Sequence, residues 1–361
     1  MKWPPEYVVA GLGLAGCAVG LLLAPQDLLR AWLVAAQAFL GLPLGALWLL
    51  AFARLVGGRW AQAMTPALLL IASSLPLALI AFLPLLGSIQ TLLPFLTEDA
   101  SALPERVANK LSYLHPLWVI VRTVLVMIAW GLAGFLLDIK SHASSRAVHA
   151  SSAVVAMVLL AAGTLIFTTD WMQALEPEFT STIYPMLVAS TQVLGAFALA
   201  ILLLWRDGKL SSPGGDAHTD LAGDLGKIAI AGILTYVYLA YMQWLIIWIG
   251  DLPSEIEWYL RRTAPPWGSV FALSALAFAA APFLALIVRT IRSNPRSMAL
   301  VAAIIVLGYL LESLWRLAPA FGAGLPFLAL LAVTHATLGG AVAVYFARRP
   351  MQPGKEALDG R

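Results

Sequence analysis

Long apolar runs separated by short polar joints recur along the whole chain, and each run approaches the roughly 20 residues that a bilayer-spanning helix needs. The pattern predicts ten spans: Tyr7–Leu23, Ala31–Ala53, Ala61–Leu86, Tyr113–Leu137, Ala147–Thr168, Ile183–Trp205, Gly226–Ile249, Trp267–Ile287, Met298–Leu317 and Phe327–Phe346. The fold class is therefore an all-α polytopic membrane protein, with residues 1–361 forming a single integral membrane domain. Pro43, Pro76 and Pro84 fall inside predicted spans. Membrane helices tolerate such prolines when neighbours satisfy the freed backbone groups.

Composition narrows the class further. The chain is 61% hydrophobic and 11% charged, whereas about 25% of residues are charged in a soluble domain. A soluble enzyme with one anchor is excluded. The single cysteine, Cys17, cannot form an internal disulfide or hold an iron–sulfur cluster, which takes several thiolates. Leu14-Ala15-Gly16-Cys17 has the form of a lipoprotein cleavage box, but the apolar run continues to Leu23, as in an uncleaved span. The histidines His115, His142, His149, His218 and His335 are scattered over different joints and spans. Their spacing suggests neither a zinc site nor a haem pair.

Charge sets an expected orientation. Most loop lysines and arginines, among them Lys2, Arg54, Arg59, Lys140, Arg206, Lys227, Arg289, Arg348 and Lys355, fall on one side of the predicted spans. Arg30, Arg106, Lys110, Arg261, Arg262 and Arg316 fall on the other. The positive-inside rule then puts both termini in the cytoplasm. The net charge of +3 is topological, and no basic patch suggests nucleic acid. The inward linker 207–225 is rich in Gly, Ser and Asp, whereas the outward joints 87–112, 170–182 and 250–266 are richer in Trp, Tyr, Pro and carboxylates.

Ionisable residues inside spans are costly and mark pathways or structural pairs. Arg122 lies about nine residues into its predicted span, roughly 13 Å at 1.5 Å per residue, near mid-membrane. Two readings stand there: a pin between helices, or a fixed charge beside a proton route. Glu312 and His335 are predicted at depths that differ by roughly 5 Å, so they could share an outer cavity and pass protons. The alternative is a Glu312–Arg316 pair at i,i+4 and a histidine that bonds between helices. Asp138, His149 and Lys227 could form an inner proton entry, although charges at span ends also snorkel. Tyr238, Tyr241 and Gln243 could extend a polar wire along the seventh span.

Two segments carry a family resemblance. Asp170-Trp171-Met172-Gln173-Ala174-Leu175-Glu176-Pro177, followed by Ser181-Thr182-Ile183-Tyr184, resembles a signature of the ActF-type membrane subunit of alternative complex III, a bacterial quinol:cytochrome c or quinol:electron acceptor oxidoreductase. Asp224-Leu225-Gly226-Lys227, leading through Tyr236, Tyr238, Gln243 and Ile247-Trp248 to Leu252-Pro253-Ser254-Glu255, Trp258-Tyr259 and Arg261-Arg262, is similar to a second stretch of that family. The chain departs from the pattern at His115 and Asp251, where asparagine is expected, and in its short tail. The resemblance extends to the NrfD- and PsrC-like superfamily. It implies two four-helix bundles, spans two to five and six to nine, flanked by spans one and ten.

The resemblance implies a non-catalytic, energy-coupling subunit of a quinol-oxidising respiratory complex in the bacterial inner membrane. Such a chain binds no redox cofactor of its own; a quinone-binding NrfD-like paralogue, a multihaem cytochrome c and iron–sulfur subunits are the implied partners, with quinone in the complex and membrane lipid around it. This chain would supply scaffold and a candidate proton half-channel. Asp170, Trp171, Glu176, Glu255 and Trp258, on the outward joints, are the candidate docking residues. The competing readings are a secondary transporter of a small solute, which ten spans also suit, and a pure assembly scaffold.

Overall fold

The computed structural model describes residues 4–139, 146–210, 220–349 and 351. Eleven helices carry the architecture: α1 Pro5–Leu23, α2 Pro25–Val56, α3 Arg59–Leu86, α4 Pro116–Ile139, α5 Arg146–Trp171, α6 Tyr184–Arg206, α7 Leu221–Gly250, α8 Pro253–Thr263, α9 Trp267–Ile287, α10 Pro295–Leu317 and α11 Leu325–Ala347. All except α8 are long and apolar enough to cross a membrane. Among the described residues there is no strand. This is an all-α polytopic membrane protein. Ten spans put the start of α1 and the end of α11 at one end, the termini end; connections 87–115, 172–183 and 251–266 lie at the other, the loop end.

Helices α2 to α5 pack on one another, as do α6, α7, α9 and α10, and α2 against α6 joins the two groups. Accordingly α2 and α6 are the most buried spans. The two flanking helices pair with each other, α1 on α11, and α11 leans on α2. Small residues permit that close crossing: a Cβ on Gly13 would lie 2.7 Å from the Thr337 backbone nitrogen, and one on Gly340 would lie 2.7 Å from that of Ala10.

Helix α3 breaks at Ser73–Ser74, just before Pro76, whose missing N–H and ring interrupt the ladder. The Tyr345 hydroxyl donates to the Ser73 carbonyl at 2.6 Å, which satisfies a polar group at the break. Helix α9 carries a π-helical turn at Leu276–Ala280. Helix α8 lies outside the spans and is amphipathic, with Trp258 and Arg262 turned inward, and Glu257, Leu260 and Arg261 exposed. Four-residue spacing places the two inward residues on one face.

Candidate functional site

The densest buried charge lies at the loop end of the second bundle, where α8 covers the end of α10. Arg262 is 2% exposed, and its guanidinium is used on every side. Nη2 meets Glu176 Oε2 at 2.5 Å, Nη1 donates to the Trp258 carbonyl at 2.9 Å, and Nη2 and Nε donate to the Arg316 carbonyl at 2.7 and 3.2 Å. The last carbonyls of a helix lack intrahelical partners and carry the negative end of its dipole. Arg262 therefore caps α10. Its charge also stacks 3.7 Å from the Trp258 ring centroid.

Aromatic rings wall this pair in. Trp258 stacks on Phe179 at 4.9 Å and meets Tyr184, Tyr259 and Trp315 edge-on. Trp315 Nε1 donates back to the Arg262 carbonyl at 2.9 Å. Outside the spans, burial raises the Tyr259 phenol above its ordinary range, the nearby Glu312 charge adds to this, and Arg262 opposes it.

A second buried pair lies behind the first, on α10. Glu312 Oε1 and Arg316 Nη2 are 3.0 Å apart, with both side chains almost fully enclosed. Ser274 Oγ lies 3.2 Å from Glu312 Oε2 and 2.9 Å from the Phe271 carbonyl. A hydroxyl has one hydrogen and serves one acceptor at a time. Tyr236 adjoins the Glu312 carboxyl. Arg316 Nη1 reaches Thr191 Oγ1 at 3.4 Å, and its Nε is buried without a partner. Arg316 thus keeps an unused donor beside the Glu312 carboxyl.

Arg122 belongs to a different site. Its helix starts at Pro116, so it lies about six residues, roughly 9 Å, from the helix start, three residues nearer that start than the sequence pattern predicted. It forms a two-pronged pair with Asp170, at 2.9 and 3.1 Å, donates to the Tyr113 carbonyl at 2.8 Å, and lies 3.8 Å over the Tyr113 ring. Burial and the nearby Asp170 raise the Tyr113 phenol above its usual range. The pin between helices, α4 to α5, is what the geometry displays.

Several expectations are corrected here. Helix α5 runs three residues beyond its predicted end, so Asp170 and Trp171 are helical and buried rather than exposed on a loop. Trp171 packs edge-on against Phe82, and its Nε1 donates to Thr123 Oγ1 at 2.8 Å. Trp258 is likewise buried, and Glu176 is occupied by Arg262 and by Arg261 at 3.7 Å. Glu255 faces Arg106 at 3.9 Å. Nearby, Lys110 donates to the Pro177 carbonyl at 2.6 Å and to Thr180 Oγ1 at 2.8 Å. Burial lowers its pKa, and Arg106 lowers it further.

Glu312 and His335 have separate neighbours and, among the described residues, no hydrogen bond joins them. His335 Nδ1 lies 2.7 Å from the Leu331 carbonyl, so Nδ1 carries the hydrogen; Nε2 is buried without a partner. Tyr238 and Tyr241 are 58% and 54% exposed, whereas Gln243 is buried and accepts from Ser181 Oγ at 2.8 Å. These three do not form one wire. Lys227 pairs with Asp224 at the termini end. The side chains of Asp138 and His149, and the whole of Lys2, Lys140, His142, His218 and Lys355, lie outside the described residues.

The sequence reading did not single out Ser274 or Thr191, whose chemistry comes only from what they touch, and it named Tyr184 only as part of the resembling segment. Arg262 carried a faint signal, because it is four residues from Trp258 on one helical face. Among the described residues, no group of three or more His, Cys, Asp or Glu side chains is placed to hold a metal ion. No family model matches the chain, and no curated protein matches it.

Proposed function

We propose that this chain is the integral membrane subunit of a quinol-oxidising respiratory complex of the alternative complex III type, in a bacterial inner membrane with both termini cytoplasmic. Multihaem cytochrome c, iron–sulfur and NrfD-like quinone-binding subunits are its partners and carry the electrons. Its own part is scaffold and a proton half-channel that opens at the loop end. The reading rests on the resemblance of residues 170–184 and 224–262, and one structural observation supports the proton role. That observation is the enclosed Glu312 carboxyl, held between Arg316 and a Ser274 hydroxyl that has a second acceptor.

A proton on Glu312 removes half of its pair, and the freed Arg316 charge then turns to Thr191, which it already approaches. Loss of the proton restores the pair. Such an exchange links proton occupancy to the position of a buried charge, as an energy-coupling element requires. Glu312→Gln keeps the shape and most hydrogen bonds. In tightly coupled vesicles it is expected to slow quinol turnover or lower the proton yield per electron, with haem content unchanged. Unchanged turnover and yield would reduce Glu312 to a structural pair. A chain that purifies alone in mild detergent, without haem absorption, and binds a small solute would favour the transporter reading.

A further inference from the structure

At the termini end, opposite the buried pairs, a cavity of about 330 Å³ opens between the starts of α3 and α7 and the connection from α9 to α10. Arg59, Asp220, Gly223, Asp224, Lys227, Arg289, Arg292 and Ser293 line it. Its volume is at the low end of the range for small-ligand sites, about 300–1,000 Å³. Four cations and two carboxylates leave a formal charge of 4 − 2 = +2.

Both carboxylates are already engaged. Asp224 is held by Arg59 at 2.9 Å and Lys227 at 3.0 Å. Asp220 caps α7 by accepting from the Gly223 N–H at 2.8 Å, and the Ser293 hydroxyl donates to its other oxygen. The neighbouring arginines keep donors in hand. Arg292 spends Nη1 on the Leu286 carbonyl at 3.1 Å, but its Nε is buried without a partner. Arg289 is exposed and, among the described residues, makes no hydrogen bond or ion pair. Gly226 lets Arg292 cross α7, since a Cβ there would lie 2.2 Å from Arg292 Cγ. The cavity is thus built to present positive charge, not to neutralise it internally.

We infer that this cavity binds the phosphate of an anionic phospholipid headgroup. Phosphate chemistry follows from the spare guanidinium donors, the charge excess and two helix N-termini at the rim. The lipid source follows from position. The cavity lies at the ends of spanning helices, and Leu284, Ile287 and Val288, just before Arg289 in the chain, are 65%, 54% and 45% exposed. An acyl chain would cover that apolar strip while the headgroup enters the basic pocket, a mode seen between spanning helices. This inference does not depend on the quinol reading.

The test uses the full-length chain in phosphatidylcholine nanodiscs, titrated with phosphatidic acid or with inorganic phosphate, and reads lipid retention by native mass spectrometry together with the thermal midpoint. Phosphatidic acid should be retained and raise the midpoint, while inorganic phosphate at equal concentration does neither. Each arginine near the headgroup contributes about 1 kcal/mol, so Arg289→Gln should weaken retention about fivefold and Arg289→Gln with Arg292→Gln on the order of thirtyfold. Arg296→Gln, an exposed charge at the same end but outside the cavity, should change nothing. Should the double variant not fold, Arg289→Gln decides, because its side chain supports no contact. Equal stabilisation by inorganic phosphate, equal retention of a zwitterionic lipid, or equal weakening by Arg296→Gln would overturn the proposal.

Discussion

Arg262→Met removes the guanidinium that joins α8, the segment after α5 and the end of α10, while keeping most of its aliphatic bulk. It deletes the 2.5 Å contact to Glu176 and the donors to the Trp258 and Arg316 carbonyls. Breaking a buried pair from one side costs about 3–5 kcal/mol, because the remaining charge stays desolvated. Among the described residues Glu176 then keeps only Arg261, at 3.7 Å on an exposed side chain. An unfolding entropy near 2.1 cal/mol/K per residue converts that cost to a fall of about 5 °C in thermal midpoint. Glu176→Gln in the same background removes the stranded charge and should recover part of the loss. The assay is thermal unfolding of the purified chain, read by size exclusion, for both single variants and the double. If Arg262→Met melts within about 1 °C of the wild type, or the double variant loses the sum of the single losses, the two side chains are not energetically coupled and the reasoning fails.

Trp171→Ala should cost about 3–5 kcal/mol through the void it leaves against Phe82, whereas Trp171→Phe should cost about 1 kcal/mol, for the lost hydrogen bond to Thr123; denaturation in mild detergent compares them. If Trp171→Ala releases partner subunits while the chain melts normally, the residue docks partners directly. Asp207 has its pKa lowered by the Arg206 hydrogen bond. A depressed acid contributes stability above its unfolded value and loses it as pH falls. The gap between wild type and Asp207→Asn should therefore be small, constant above pH 3.8 and closing below it; a gap that widens in acid contradicts the assignment. Cysteines placed at Glu178 and Lys355 test the orientation: externally applied thiol reagent should label position 178 and spare 355 in intact cells, and the reverse pattern inverts the topology.

Sequence alone determined the ten spans, because a bilayer demands runs of apolar residues whose length is readable without any partner. It also flagged Glu312 with Arg316, since four-residue spacing on one helix needs no tertiary knowledge. The fate of Asp170, Trp171 and Trp258 was not legible. Their aromatic and acidic character suits a docking loop as well as a buried clamp, and only the extra helical turn at the end of α5 and the fold of α8 onto α10 decide for burial. Arg122 shows the same limit: its partner is 48 residues away, and the start of α4 three residues later than predicted brings Arg122 nearer the helix start. Likewise Tyr238 and Gln243 lie on one helix, yet one faces outward and the other meets Ser181, because the packing around α7 sets which face is buried. Spans follow from local hydropathy, whereas the pairing of buried charges depends on which distant segments converge, and tertiary structure alone supplies that.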